Sequence, residues 1–505
     1  MKIATRLLSF ILVVVMLTAI AVSCSNVPDN DHDTSNGTTT ASPDPEGPTG
    51  GDETTPGETT STRITPDVPD GTNYGGHIFR VLTRGTYSET WYSRDIYSAG
   101  ISGDTIADAV YARNTAMEEH YGFRVEEVGS KNPQDEAKIK VQSGVDEYDM
   151  FCFRIKDHIT SLILQGYLRN LNNVETMNLD QPYYDQNSRK AFSMAKRLYL
   201  VTGDLLTMDN DATRCTLFNK TLFNQLSIAD HVGGNLYEHM ANGTWTLDIM
   251  QQCATIATSD LDGDGEMSMT DRWGMVSEQF NALAFFNSAG SSLFEKNAND
   301  VPVFIGNSER SLTILSDVVT MLNGPYCRHY SNAYNEAIPQ FKDGIVLFYP
   351  AQLADVPLLR SMAFDFGIVP LPKYTAEQES YVSPVTTYGS NCIAIPISVK
   401  DVDRAATIIE VLSCESMYVL TPAYYEVNLK SKLAVDQESS ASIDIIMDTA
   451  MFELAYMWNI GSLYDSICYA FKNNMPSLAS AFKQAARVSE KTIDRNIATI
   501  EGFKD

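Results

Sequence analysis

The sharpest chemical signal in the chain is the acidic run that starts at Asp260. Asp260, Asp262 and Asp264 stand at alternate positions, Gly265 follows, then Glu266, Ser268 and Asp271. This is the spacing of a calcium loop: carboxylates at alternate positions converge on one hard cation, the glycine permits a sharp turn, and the next residue offers its carbonyl. Ser268 would ligate directly or hold a water. Asp271 stands where a bidentate glutamate is usual and is one methylene shorter. The expectation is a structural Ca²⁺ held by Asp260, Asp262, Asp264, Glu266, Ser268 and Asp271. The competing reading is an acidic turn without an ion.

A second signal is aromatic. The chain carries 25 Tyr and 4 Trp. Rings of this kind present flat apolar faces to sugars, while neighbouring Asp, Glu, Asn and Arg fix hydroxyl groups. Motifs for covalent or metal catalysis do not occur. The sequence holds no GxSxG, HExxH, Walker loop or GxGxxG, and its 7 histidines show no ligand spacing. A carboxylate pair for glycoside hydrolysis is invisible at this level, because its members meet only in three dimensions.

A third signal lies near the start. Lys2 and Arg6 precede an apolar run, Leu7 to Ile20, which is short for a membrane span. Ala21-Val22-Ser23-Cys24 follows and resembles a lipobox. Residues 1–23 are read as a signal peptide and Cys24 as the lipidated residue. Residues 24–72 are read as an acidic Thr/Pro/Gly/Asp tether, too poor in apolar side chains to offset its ordering entropy. The expected location is the extracytoplasmic face of a cell membrane, held by lipid alone.

The remaining 7 cysteines, Cys152, Cys215, Cys253, Cys327, Cys392, Cys414 and Cys468, are scattered and show no CxxC spacing. They read as buried free thiols rather than a disulfide framework or zinc site. The net charge of −27 argues against nucleic acid and against docking on anionic headgroups through a basic face.

The elements that must position these residues alternate. His77 to Thr83, Phe123 to Val128 and Tyr148 to Phe153 read as strands. Between them Asp104 caps a helix with Ile106, Ala109, Val110, Met117 and Tyr121 on one face and Gly122 as its stop, and Pro133 to Ser143 is helical. The pattern repeats from Leu198 to Leu412, and the chain is chiefly helical after Ser439. Strands alternating with helices predict an α/β protein with a mostly parallel sheet.

In their order, several segments resemble the extracellular solute-binding proteins of ABC importers, in the large group that includes maltose-binding protein. Tyr148-Asp149-Met150-Phe151 with Gly166-Tyr167-Leu168 is one such segment. Others are Leu217-Phe218-Asn219-Lys220, Gly243-Thr244-Trp245-Thr246-Leu247-Asp248, Phe341-Lys342-Asp343-Gly344 and Gly367-Ile368-Val369-Pro370-Leu371-Pro372. The resemblance spans nearly all of Gly76 to Asp505. It implies a two-lobed periplasmic-binding-protein-like (type II) fold with a hinge and an interlobe cleft. Lobe 1 is expected at 73–206 plus 372–425, and lobe 2 at 207–371 plus 426–505. The chain would cross between lobes near Leu205 to Asp211 and again near Leu371 to Tyr374.

Ligands of such folds bind at the carboxyl ends of strands. That rule places Arg84 and Trp91 after the first strand, Arg154 and Asp157 after the third, and Asp209 and Asn210 at the first crossover. Glu278 follows the Trp273 strand, Tyr349 and Gln352 end the Ile345 strand, and Tyr388 and Trp458 are candidate walls. Trp245 and Trp273 are assigned to packing. The resulting expectation is a monomeric, non-catalytic binding protein that takes up a solute, foremost an oligosaccharide, and hands it to ABC permease subunits. A peptide or polyol ligand is the alternative within that class. A secreted polysaccharide-degrading enzyme, or a sensor subunit feeding a membrane kinase, is the alternative outside it.

Overall fold

The computed structural model describes residues 63–503, apart from 88–92, 157–158, 360–361, 426–428, 430–436, 459 and 476–477. Cys24, Trp91 and Asp157 lie outside the described residues, as does the signal segment. Arg63–Asp505 forms one compact unit.

Two sheets organise that unit. The first has three parallel strands in the order Phe123–Gly129, His77–Thr83, Met150–Cys152. The helix Thr105–Tyr121 connects two of them. Asp104 caps it, accepting hydrogen bonds from the Ile106 and Ala107 N–H groups at 3.1 and 2.9 Å, and Gly122 ends it at φ 65°, a left-handed conformation that favours glycine. Ile106, Ala109 and Val110 are buried as the periodicity predicts, while Met117 and Tyr121 are only partly so. Arg113 is fully buried on the same helix, donating to the carbonyls of Asp95 and Ile96 and to Ser416 Oγ.

The second sheet has five strands in the order Phe366–Val369, Arg214–Asn219, Val346–Gln352, Trp273–Ser277, Cys327–His329. It is mixed. Arg214–Asn219 runs antiparallel to both neighbours, and the other four strands all run in one direction. The start of Arg214–Asn219 therefore lies at the same edge as the carboxyl ends of those four.

The passage between the sheets departs from the expected return near Leu371 to Tyr374. Lys373 still bridges to Thr246, and the Tyr381 hydroxyl donates to Met240 O, so this stretch stays with the second sheet's helices. The chain returns later. Ser383–Val385 bridges to Thr213, the Thr386 N–H donates to Ala212 O, and the N–H groups of Lys156 and Ile155 donate to Thr387 and Ser390. Ile393 and Ala394 then pair with Val201 and Phe151 of the first sheet's side. Before the chain returns, Gln378 donates to Ser288 O and Ser380 O and accepts from the Tyr374 N–H, tying residues 374–380 into a hydrogen-bonded turn.

Two further placements refine the expected boundaries. The tether was expected to run to 72, but residues from Arg63 onward are docked. The Ile64 N–H donates to the Tyr418 hydroxyl at 2.7 Å, Arg63 pairs with Glu415 and lies over the Tyr418 ring, and Ile64 and Val68 pack on the core. The alternation of Ile64, Pro66 and Val68 supplies the apolar side. At the other end, the helix Ala479–Glu501 packs on Ile159–Leu164 of the first sheet's side as well as on Pro302–Phe304, so it is not an element of one lobe alone. The seven described cysteines are all buried and free. No described helix is long and apolar enough to cross a membrane.

Candidate functional site

A cavity of about 470 Å³ opens where the strand ends of the two sheets face each other. Arg84 follows His77–Thr83, and Arg154 and Lys156 follow Met150–Cys152. From the second sheet come Arg214 at its strand start, Glu278 and Phe280 after Trp273–Ser277, Tyr330 after Cys327–His329, and Tyr349 and Gln352 at the end of Val346–Gln352. Asp355 stands just beyond. The return segment adds Thr386 and Tyr388, and the late helices add Tyr456 and Tyr464. The position of the cavity follows from the rule that side chains beyond strand carboxyl ends project into the crevice between α/β layers.

Six rings line it. Phe280 and Tyr464 stack in parallel with centroids 6.0 Å apart, and Tyr456 approaches Tyr464 to 4.1 Å. Tyr330 meets Tyr349 edge-on at 6.4 Å. Tyr388 is 47% exposed, and the Arg154 guanidinium lies 4.6 Å over its face. The Lys156 ammonium sits 5.3, 5.7 and 5.2 Å from the Tyr388, Tyr456 and Tyr464 rings. Contacts of this kind are favourable for a cation and hold it in place.

The polar wall is tightly wired. Arg214 is buried; its Nη1 donates to Asn281 Oδ1 at 3.1 Å and stands 3.8 Å from Glu278. Burial opposes the Arg214 charge, but Glu278 and the nearby tyrosines hold its pKa above the ordinary value. Burial raises the Glu278 pKa, against the pull of Arg214. Asp355 is also raised by burial, and its carboxylate accepts from the Tyr349 hydroxyl at 2.9 Å and the Gln352 N–H at 3.1 Å. Gln352 Oε1 is buried and accepts no hydrogen bond from the described residues.

Of the residues singled out from sequence, Arg84, Arg154, Glu278, Tyr349, Gln352 and Tyr388 meet in this cavity. Asp209, Asn210 and Trp458 do not. Met208–Asp211 coils into a turn of helix, which buries Asp209. Trp458 is packed in the core at 2% exposure; on the helix Leu454–Trp458 it lies two residues from Tyr456, about 200° around the axis, so Tyr456 takes the wall instead. Sequence reasoning missed Lys156, Arg214, Phe280, Tyr330, Asp355, Tyr456 and Tyr464. Lys156 carried a usable signal: it lies between Arg154 and Asp157, both already placed after the third strand.

No protein-family model and no curated protein matches the sequence. Solved structures do match its shape. The galacto-N-biose/lacto-N-biose I-binding protein of the ABC transporter from Bifidobacterium longum, in complex with lacto-N-biose, is 11% identical with a TM-score of 0.55, covering 84% of this chain and 98% of its own. A cyclo/maltodextrin-binding protein complexed with maltotetraose is 13% identical with a TM-score of 0.54, covering 84% and 97%. An ABC substrate-binding protein from Listeria monocytogenes in complex with cycloalternan is 12% identical with a TM-score of 0.51, covering 83% and 99%. The fold is that of the ABC substrate-binding proteins. Trp245 and Trp273 serve this substrate-binding fold as packing residues: Trp245 is fully buried and donates to Pro370 O at 2.8 Å, and Trp273 donates to Ser268 O at 2.7 Å.

The acidic loop lies apart from the cavity. Carboxylate oxygens of Asp260, Asp262 and Asp264 lie within 4.8 Å of one another. Asp260 accepts from the Gly263 and Gly265 N–H groups at 2.7 and 2.8 Å, and a bridge between Ser259 and Arg272 closes the loop. Asp271 is buried beneath it. Its two oxygens accept from the Leu261 and Ser268 N–H groups at 2.8 and 2.7 Å, which holds its carboxyl below the usual range. Asp271 thus ties the loop together, while the three converging aspartates offer oxygens of the kind a hard cation takes.

Proposed function

We propose that this chain is a lipid-anchored, extracytoplasmic solute-binding protein that captures a carbohydrate in the described cavity and presents it to an ABC permease. The observation that carries the reading is the cavity itself. Its volume falls within the roughly 300–1,000 Å³ typical of small-molecule sites, and six rings alternate there with arginine, glutamate and glutamine groups. Rings stack on pyranose faces, and the polar groups exchange hydrogen bonds with hydroxyls. The substrate-binding fold supports the same reading. The ligand would act by contacting both sides of the cavity, so that binding favours the closed arrangement through its differential affinity.

The two carboxyl groups of the wall bear on the hydrolase alternative. Glu278 is held by Arg214, and Asp355 by Tyr349 and Gln352. Groups committed in this way are poor candidates for the acid and base of glycoside hydrolysis. We assign them to orienting the wall, and to the acidic loop we assign a structural Ca²⁺ on Asp260, Asp262 and Asp264, with the Glu266 carbonyl and Ser268 completing the set. A cation there would offset the mutual repulsion of three close carboxylates.

A single experiment tests both assignments. Thermal unfolding of the purified chain is followed across a glycan panel, with Ca²⁺ and with EDTA. Binding to the folded state alone raises the midpoint. A glycan that raises it, with no reducing ends released on prolonged incubation, supports the binding role. No response to any small solute defeats it. A lower midpoint in EDTA, restored by Ca²⁺ and insensitive to EDTA in Asp262→Asn, supports the loop assignment; an EDTA-indifferent wild type overturns it.

A further inference from the structure

One wall of the cavity is built on an uncommon backbone turn. Beyond Cys327–His329 the chain passes Tyr330 and Asn332, both of which line the cavity. Ala333–Ala337 then forms a π-turn, in which the Ile338 N–H donates to the carbonyl of Ala333, five residues back. Such turns are rare and concentrate at functional sites. This one is held from outside. Glu336 Oε1 accepts from the Ser331 and Asn332 N–H groups at 3.1 and 3.2 Å, and its Oε2 takes Arg328 Nη2 at 3.4 Å. Arg328 also donates to Gln340 Oε1 at 2.6 Å, and the buried Gln340 donates to Met269 O at 2.8 Å. The turn is thereby tied back to the second sheet's side.

The same turn orients Asn332. Its Oδ1 accepts from the Asn335 N–H at 3.1 Å, which commits the amide oxygen. An amide fixed in this way has its two N–H groups left to offer. Asn332 is exposed in the cavity wall, and among the described residues nothing accepts from its Nδ2. The geometry therefore presents donors whose rotamer is already set by the turn. A hydrogen bond to a solute then costs little further ordering, which is the advantage of a preorganised site. The plainer role, capping a turn, would be served as well by serine or aspartate.

We propose that Asn332 contacts the solute, its amide donating to an oxygen of the bound sugar, and that Glu336 is the residue that positions it. This role rests on the carbohydrate-binding reading given above and refines it. The test is a double-mutant cycle in titration calorimetry on the full-length chain in mild detergent. The probe is the tightest binder among maltotriose, cellotriose, xylotriose, mannotriose and lacto-N-biose. Serine caps as well as asparagine but carries no amide donor. Asn332→Ser should therefore leave the melting midpoint of the unliganded protein nearly unchanged and weaken the sugar roughly three- to tenfold, the worth of one neutral hydrogen bond. Glu336→Ala should weaken it by a similar factor, and Glu336→Gln, which keeps an accepting oxygen, should recover most of the loss. The double variant, Asn332→Ser with Glu336→Ala, should bind no more weakly than Asn332→Ser alone, since a positioning residue then has nothing left to position. Unchanged affinity in Asn332→Ser overturns the contact and leaves the carbohydrate reading standing. Losses that multiply in the double variant overturn the positioning role of Glu336. Binding of none of the five sugars by the wild type overturns both the contact and the carbohydrate reading.

Discussion

At the residue scale, the cavity separates rings that hold the fold from rings that open onto it and would face the proposed solute. Tyr349, Tyr330 and Tyr464 are almost fully buried, and removing any of them would damage the core as well as the site. Tyr388 is different, being nearly half exposed with its ring turned to Arg154 and Lys156. Tyr388→Ala should therefore weaken sugar binding by on the order of 1–2 kcal/mol, about tenfold, through lost stacking. The unliganded protein's melting midpoint should change little, since surface truncations usually stay within about 0.5 kcal/mol. A large drop in midpoint with unchanged affinity would assign the ring to structure. The residues legible in sequence at this scale were those following a strand of recognisable pattern, such as Arg84 and Glu278. Arg214 was not, because it begins a strand whose antiparallel course no local pattern reveals. Tyr456 and Tyr464 were not, because they arrive from helices far along the chain.

At the scale of elements, the connection between the sheets carries a buried polar network. Asp211 takes Arg94 at 2.7 Å and the Tyr424 hydroxyl at 2.9 Å, and Asp95 accepts from the Thr207 N–H at 2.8 Å. Next to it Asp204 accepts from Thr421 Oγ1 at 2.6 Å, and burial pushes its pKa up to about 7. The sign of the consequence is fixed by linkage. The folded state holds this proton more tightly than the unfolded chain, so the group's contribution is full below about pH 4 and is lost as pH rises towards 7. Asp204→Asn keeps the acceptor and removes the charge. It should stabilise the protein at pH 8 by on the order of 2 kcal/mol and by much less at pH 5, measured by denaturant unfolding at both values. An equal effect at the two pH values would mean that Asp204 is ionised in the folded state throughout. The elements themselves were largely legible: the capped helix Thr105–Tyr121 and the parallel strands around it follow from local signals. The point of return to the first sheet was not. It involves contacts between residues distant in sequence, such as Gln378 with Ser288 and Val385 with Thr213.

At the scale of the whole molecule, the proposed delivery to a permease raises the question of how a unit in which no described helix is long and apolar enough to cross a membrane would stay near one. The segment Ala21 to Cys24, which resembles a lipobox, would supply the proposed anchor, and the docked start at Arg63 sets where the anchored segment ends. The chain between Cys24 and Arg63 reaches at most on the order of 130 Å, however it is arranged, because each residue spans no more than about 3.4 Å. A unit so confined would meet the proposed permease at an effective concentration that free diffusion does not provide. The described cavity, by contrast, lies within Arg63–Asp505. Anchoring and affinity should therefore separate cleanly. In a bacterial host that processes lipoproteins, Cys24→Ser should shift the protein from the membrane fraction to the soluble extracytoplasmic fraction. Its dissociation constant for sugar should remain within about twofold, and uptake should fall in cells that depend on it. Retention of Cys24→Ser in the membrane fraction would remove the lipid anchor from the mechanism. A changed dissociation constant would show that the segment before Arg63 takes part in binding, which the closed wiring of the cavity around Arg214, Glu278 and Asp355 argues against.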